Sequence, residues 1–385
     1  MSSSVPSWPP LTPAERAVAI EVLTKGPSSR SEIARRLGMS GGSLTRLAKP
    51  LIDSGLLLEV IAPPATGAGQ GRPGQPLDIV TDPWHFVGLK ITGDAVYGVV
   101  TTLKSTVVRR ETRPLETHEP EAVADVAHSI VRSVATEFPQ LAGVGVGIGG
   151  EVRDRAVIVD SPYLHWREVT FAELLEQRTD LPVVLENDVA ALVESETWFG
   201  AGRGLDRFAV LTIGAGIGYG LVIGGKQVRA PDWSEAGKHW ILDPNGPLTP
   251  EGRRGSAASL LTIPSIEYQV RAATGSAVGF EEILELARRQ DPAASRVIDE
   301  AARALGVLLA QIAHFTLPEK IVLAGEGVGL VDVAGRTITD TIASHRHPQA
   351  GPVPLETKIS DFHDWARGAA VLAIQVLVLG GTDGG

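Results

Sequence analysis

Apolar residues recur at helical spacing three times near the start of the chain, and two short apolar runs follow. The spacing predicts helices over about 13–25, 29–37 and 41–54. The apolar runs at 56–61 and 77–80 flank a stretch rich in Gly and Pro, which predicts a hairpin. Three helices followed by a hairpin is the order of a winged helix-turn-helix domain.

Beyond about residue 81, apolar strands alternate with amphipathic helices, which predicts an α/β body. About 300 residues is large for one core, so two lobes with a cleft are expected. The predicted domains are a flexible leader over 1–11, a winged helix-turn-helix domain over 12–82 and a body over 83–385. We expect the lobe boundary near 190–205 and a C-terminal helix over 365–379 that returns to the first lobe.

Composition limits the classes of function. The chain has 385 residues, of which 43% are hydrophobic and 21% charged, an ordinary globular balance. It contains no cysteine, which excludes disulfides, thiolate zinc sites and cysteine nucleophiles. The formal charge is −10, yet residues 1–80 carry eight basic and six acidic residues, so a weakly basic segment precedes an acidic body. No membrane span or secretory signal is predicted, so we expect a cytoplasmic protein.

A polar, basic stretch covers the second and third predicted helices. Between residues 30 and 49 there are five basic residues and one acidic residue, an excess that can meet DNA phosphates. A helix that begins with small polar residues can approach base edges in the major groove. An arginine on the narrow wing turn suits the minor groove. The predicted DNA-contacting residues are Arg30, Arg35, Ser40, Gly41, Ser43, Thr45, Arg46, Lys49 and Arg72. The alternative is a small helical dimerisation domain with a solvated basic face.

One candidate ligand site lies at Glu186-Asn187-Asp188, which follows a predicted buried strand and opens a helix. Carboxylates at the carboxyl ends of strands lie where α/β proteins bind ligands. Asp188 could accept a hydrogen bond from a sugar hydroxyl or act as the general base of a kinase. The structural alternative is a plain helix cap, since Asn and Asp are favoured there.

Three further stretches each have a functional and a structural interpretation. The glycine run over 212–220 could approach a phosphate or form a tight hairpin. Within 234–239, Glu235 and His239 could converge on one polar ligand, or the stretch could be a solvated surface loop. The loop over 160–166 could form the wall of a sugar site, or its Trp166 could simply pack in the core.

Together these stretches resemble the ROK family (repressors, open reading frames and kinases), and within its repressor branch the xylose-repressor type. The resemblance covers roughly 12–380, and the matching stretches are 161–169, 186–188, 214–218, 243–247, 317–325 and 368–370. It implies a winged helix-turn-helix joined to a two-lobed sugar-kinase-like body of the actin and ribonuclease H type. It also implies that Asn187, Asp188 and Glu235 contact sugar hydroxyls, with His239 as a further candidate.

The sequence departs from the family at several positions. Lys90 stands where a kinase of the family carries the aspartate of its phosphate loop, so we expect ATP to bind poorly or not at all. Tyr163 and His165 replace an asparagine and a glycine of the sugar site. The family's zinc-binding cysteines fall on Thr249, Glu251 and Ser256, and its histidine ligand falls on either Lys238 or His239. Neither a zinc ion nor another cofactor is therefore expected.

The sequence thus predicts a transcriptional regulator, a repressor, that binds double-stranded operator DNA as a homodimer or higher oligomer. A sugar or sugar derivative is expected to bind in the cleft, at Tyr163, His165, Asn187, Asp188, Glu235 and His239. No catalytic residue is predicted beyond a vestigial base, Asp188. The alternatives are an ATP-dependent sugar kinase with an added DNA-binding domain and a DNA-binding regulator that needs no ligand.

Overall fold

The structure is a computed structural model, and it describes residues 8–60, 75–229, 237–249, 252–359 and 361–380. The chain divides into two compact units. Unit 1 comprises Met1–Phe199 and Phe362–Gly385, and unit 2 comprises Gly200–Asp361. No helix in the described ranges is long and apolar enough to cross a membrane.

Unit 1 begins with three helices and a two-stranded antiparallel sheet, called here the N-terminal module. Its elements are α1 (Pro13–Lys25), α2 (Arg30–Arg36), α3 (Gly41–Asp53), β1 (Leu57–Glu59) and β2 (Leu77–Ile79). Capping boxes fix the starts of α1 and α2, because Thr12 and Ser29 each exchange hydrogen bonds with the glutamate three residues later.

The rest of unit 1 is a five-stranded sheet with helices on both sides and a small three-stranded sheet. Its elements are β3 (His85–Ile91), β4 (Ala95–Thr102), β5 (Val107–Pro114), α4 (Pro120–Ala135), β6 (Leu141–Ile148), β7 (Glu151–Arg153), β8 (Val157–Ser161), β9 (Trp166–Val169), α5 (Phe171–Thr179), β10 (Val183–Asn187) and α6 (Asp188–Phe199). The large sheet has the order β10-β6-β3-β4-β5, with β10, β6 and β3 parallel. The carboxyl ends of these three strands therefore meet at one edge.

The C-terminal helix (Phe362–Leu377) lies across the large sheet of unit 1. Its backbone passes so close that a Cβ on Gly88 would lie 2.0 Å from the Ala366 carbonyl oxygen. A Cβ on Gly145 would lie 1.8 Å from the carbonyl oxygen of Ala369. Glycine is required at both strand positions because any side chain would collide with this backbone.

The N-terminal module shares a buried apolar cluster with the rest of unit 1. The cluster joins the module's own core to strand β3, helix α6 and the C-terminal helix; its members include Val18, Leu44, Leu51, Phe86, Trp198, Ala373, Ile374 and Val378. A salt bridge of 2.6 Å between Lys104 and Asp78 links the β4–β5 turn to β2. The module is therefore packed against its neighbour and is not a tethered domain.

Unit 2 is a second five-stranded sheet covered by helices. Its elements are β11 (Arg207–Ile213), β12 (Ile217–Ile223), β13 (Lys226–Gln227), α7 (Ala257–Leu261), α8 (Ile263–Thr274), α9 (Phe280–Arg288), α10 (Pro292–Thr316), β14 (Lys320–Ala324), α11 (Gly329–Ser344) and β15 (Leu355–Thr357). The sheet order is β13-β12-β11-β14-β15. The long helix α10 supplies much of the buried core.

Candidate functional site

Helix α3 carries most of the residues predicted to contact DNA, and its two sides differ in character. Leu44, Ala48 and Leu51 face the core and are fully buried. Ser40 caps the helix by accepting the Ser43 N–H at 3.1 Å. The exposed side carries four of the predicted residues: Gly41, Thr45, Arg46 and Lys49. The helix thus offers a small, polar and basic face whose orientation is set by its buried side.

Two of the predicted basic residues have partners within the N-terminal module. The Arg30 guanidinium pairs with the Glu59 carboxylate on β1, which ties α2 to the base of the hairpin. Lys49 lies 3.2 Å from Asp53 in an exposed pair one helical turn apart. Such pairs are weak enough for a phosphate to replace. Arg35 is exposed on α2, and Arg72 lies outside the described residues.

The candidate ligand site of unit 1 is built where β6 and β10 end side by side. Asn187 is paired with Ile148 at the last position of the two parallel strands. Its side-chain amide donates to the Gly150 carbonyl at 2.8 Å and its oxygen accepts the Ala190 N–H at 3.1 Å. Asn187 is therefore a helix cap that also anchors the loop after β6. The capping interpretation of this motif is correct for Asn187.

Asp188 is the first residue of α6, and its two carboxylate oxygens have different partners. Oδ1 accepts the Val189 N–H at 2.8 Å. Oδ2 forms an ion pair with the ammonium of Lys90 on β3. The two side chains are 13% and 7% exposed, so the pair is nearly withdrawn from water. The Lys90 ammonium also lies 5.5 Å from the ring centre of Trp365, in the first turn of the C-terminal helix.

Tyr163 and His165 occupy the tight turn between β8 and β9, so the loop predicted over 160–166 is shorter in the structure, with its ends in these two strands. Tyr163 is 46% exposed, and its ring covers Gly149, since a Cβ on that glycine would lie 3.0 Å from the ring and 3.6 Å from Asp188 Oδ2. His165 is exposed and adopts a left-handed φ of 58°. Tyr163 therefore borders Asp188, whereas Trp166 is a packed core residue with 4% exposure.

The remaining predicted ligand residues belong to other parts of the chain. Glu235 lies outside the described residues. Lys238 and His239 are half-buried and share a single 3-10 turn, Gly237–His239, of unit 2. Unit 1 alone thus brings Tyr163, Asn187 and Asp188 together.

The glycine run of unit 2 forms the tight turn between β11 and β12, which agrees with its structural interpretation. The Gly214 N–H donates to the Gly216 carbonyl at 3.0 Å. Glu326, after β14, covers this turn so closely that a Cβ on Gly214 would lie 2.0 Å from its Oε2. Backbone amides of glycine loops favour phosphate, but a carboxylate at the same place repels it.

Backbone hydrogen bonds shape the segment in which the family carries zinc. The Leu242 N–H donates to the Gly255 carbonyl at 2.8 Å, and the Gly255 N–H donates to the Pro247 carbonyl at 2.8 Å. Thr249 accepts the Arg253 N–H, and Ser256 caps α7. Glu251 lies outside the described residues. In the part of the chain that is described, no three His, Asp or Glu side chains are grouped as metal ligands.

The Lys90–Asp188 pair and the contact with Trp365 were not foreseen from the sequence. The signal for Lys90 was present, since this lysine interrupts the apolar run of β3, in which every residue from 86 to 91 is buried. A charge in such a strand requires a partner nearby. Nothing in the sequence indicated the role of Trp365, because an aromatic residue at the start of an apolar helix usually just packs in the core.

The N-terminal module packs on the α/β part of unit 1, whose parallel strands end beside the Asp188 carboxylate, and this combination is the architecture of a regulator of the ROK type. The chain belongs to the ROK family, whose family model matches residues 86–376. It is 24% identical to the xylose repressor of Bacillus spizizenii over 86% of each chain. It is 28% identical to the glucokinase of Thermotoga maritima over 62% of this chain and 81% of the glucokinase.

Among solved structures, a ROK family transcriptional regulator described as a homologue of the Escherichia coli Mlc protein superposes with a TM-score of 0.80. The match covers 95% of this chain and 96% of that one at 22% identity. The predicted α/β fold class is confirmed, and the three helices and two-stranded sheet of the N-terminal module are consistent with the predicted winged helix-turn-helix.

Proposed function

We propose that this chain is a DNA-binding transcriptional repressor whose body binds a sugar or sugar derivative without phosphorylating it. The observation that carries the proposal is that one compact unit holds both a basic recognition-type helix and the Lys90–Asp188 pair. The similarity to a xylose repressor extends over 86% of both chains, and it supports a shared type of function.

The exposed face of α3 supports major-groove binding. Its small first residues allow the helix to approach the bases, and Arg46 is long enough to reach a guanine edge. Helix-turn-helix proteins usually bind two-fold symmetric operators as dimers, which implies two copies on half-sites about 34 Å, or a multiple of it, apart. Arg30 and Lys49 would then exchange their exposed carboxylate partners for phosphates.

The geometry at Asp188 supports ligand binding without turnover. A general base must be able to take a proton from the attacking hydroxyl. In this chain Asp188 Oδ2 already pairs with the Lys90 ammonium, so an attacking hydroxyl would first have to displace the ammonium from this oxygen. The carboxylate of Glu326 against the glycine turn of unit 2 is a second obstacle to nucleotide phosphates.

A sugar kinase is the second candidate, because Asp188 is retained at the head of α6 and the family includes glucokinases. A third is a regulator that needs no ligand, since Tyr163 takes up space beside Asp188. In the kinase case, ATP would be consumed in the presence of D-glucose or D-xylose, and Asp188→Asn would abolish the activity. In the third case, calorimetry against a panel of sugars would give no heat with any of them.

The deciding experiment is to select bound duplexes from a random DNA pool and then challenge the complex with sugars. We expect a two-fold symmetric consensus and a change in DNA affinity with at least one sugar. No selected duplex at low salt, or sugar-dependent hydrolysis of ATP, would refute the proposal.

A further inference from the structure

We propose that Lys90 is the positioning residue that couples the ligand site of unit 1 to its N-terminal DNA-binding module. The inference rests on the proposed function, since it assumes that both sites exist. It goes further because it assigns to one residue the transfer of the signal between them.

Lys90 connects the first turns of two helices. Its ammonium pairs with Asp188 at the start of α6 and lies over the ring of Trp365 at the start of the C-terminal helix. The Lys90 side chain is only 7% exposed, so water solvates its ammonium group poorly. The position of this group therefore depends on its two protein partners. A change in the hydrogen bonding of Asp188 therefore changes the balance of contacts at Lys90.

The same two helices end in the buried cluster of the N-terminal module. Trp198, in the last turn of α6, belongs to this cluster. Ala373 and Ile374 of the C-terminal helix belong to it as well. Helix α6 has 12 residues and is therefore about 18 Å long. Both helices thus span the distance from the ligand site to the DNA-binding module as single elements.

Close packing makes the two helices move together. A Cβ on Gly368 of the C-terminal helix would lie 2.9 Å from the Ala191 carbonyl oxygen of α6, so the backbones touch. Farther along, the Gln375 side-chain amide donates to the buried Glu194 carboxylate at 2.9 Å. Packed interiors respond to a local change by shifts of whole elements rather than by continuous deformation.

A ligand hydroxyl that donates to Asp188 Oδ2 competes with the Lys90 ammonium for that oxygen. The ammonium then moves toward the Trp365 ring, or α6 moves away from β3. Either change alters the position of α6 relative to the C-terminal helix. The N-terminal module packs on both helices, so its position changes as well. Because coupling is reciprocal, bound DNA must change ligand affinity by the same factor.

The test uses the full chain and measures affinity for a selected operator by fluorescence anisotropy, with and without D-xylose or D-glucose. Lys90→Met keeps the length of the side chain and removes its charge. Without sugar, we expect its operator Kd to differ from the parent's by about threefold or more, and with sugar we expect its response to fall to less than about twofold. Lys90→Arg should retain the parent's behaviour in both measurements.

Lys320→Met is the matched control, since Lys320 pairs with Glu356 within unit 2 and should change neither measurement. If Lys90→Met does not fold, Trp365→Phe decides, because it keeps the core filled and weakens the contact with the ammonium. We expect it to reduce the sugar response or, if neither sugar acts on the parent, to shift the sugar-free Kd.

An operator Kd and sugar response equal to the parent's in Lys90→Met, or in Trp365→Phe when only that variant folds, would overturn the inference. The sugar-free Kd decides alone if neither sugar acts on the parent. A parent protein that binds no duplex would instead refute the proposed function.

Discussion

Replacing Lys90 with methionine should destabilise unit 1 far more than an ordinary surface change does. Removing one partner of a buried ion pair costs about 3–5 kcal/mol, because the other charge stays buried without compensation. The Asp188 side chain is still 13% exposed, so water can partly solvate its carboxylate after Lys90 is replaced. We therefore expect a cost at the lower end of this range, about 3 kcal/mol. For a unit of this size the midpoint of thermal unfolding should fall by about 6–12 °C.

Urea unfolding followed by tryptophan fluorescence and circular dichroism measures this cost, and a double-mutant cycle isolates its cause. Asp188→Asn should also destabilise, since it leaves Lys90 buried without a counterion. The double variant should lose less than the sum of the two single variants by about 2 kcal/mol or more. Lys320→Met breaks the pair with Glu356, whose side chains are more exposed, 28% for Lys320 and 41% for Glu356. This change should cost under about 1 kcal/mol. Strictly additive losses at positions 90 and 188 would refute the reasoning.

Three further predictions follow from the packing and the helix caps. Arg46→Ala should weaken operator binding by about 1–3 kcal/mol in gel-shift titration. Arg296→Ala, in an exposed helix pair of unit 2, should leave it unchanged; equal binding by both variants would contradict the assignment of α3. Gly88→Ala should abolish folded protein, as judged by circular dichroism, because its Cβ would meet a backbone oxygen at 2.0 Å. Gly42→Ala, whose Cβ meets nothing within 4 Å, should fold normally, and a folded Gly88→Ala would refute the packing. Hydrogen bonds from the Ser29 hydroxyl and N–H lower the pKa of Glu32 below its usual 4.5, so its stabilising effect is present at neutral pH and lost on acidification below that value. Glu32→Gln should reduce stability at pH 7 and flatten the acid limb of a stability-against-pH curve; an unchanged acid limb would contradict this role.

Local patterns predicted the helices of the N-terminal module well, because their signals are local. Thr12 caps α1, and the third helix begins at Gly41 as predicted and ends one residue earlier, at Asp53. Strand β5 was missed because Val107–Pro114 is an edge strand dominated by exposed polar side chains, with no buried alternation to reveal it. The three short strands β7–β9 were missed for a similar reason, since each is only three to five residues long.

The sequence by itself determined the fold class, the polar face of α3 and the placing of Asn187 and Asp188 at the end of a strand. Those features follow from periodicity and from residue types that are neighbours along the chain. Only the tertiary structure decided that Lys90 pairs with Asp188, 98 positions away, and that the Lys90 ammonium lies over the Trp365 ring. Parallel strands β3, β6 and β10 bring their carboxyl ends to one edge, and the C-terminal helix crosses that sheet over glycines. Such contacts depend on the order of the strands in the sheet and on where the helix packs. A pattern of neighbouring residues along the chain does not determine either of these.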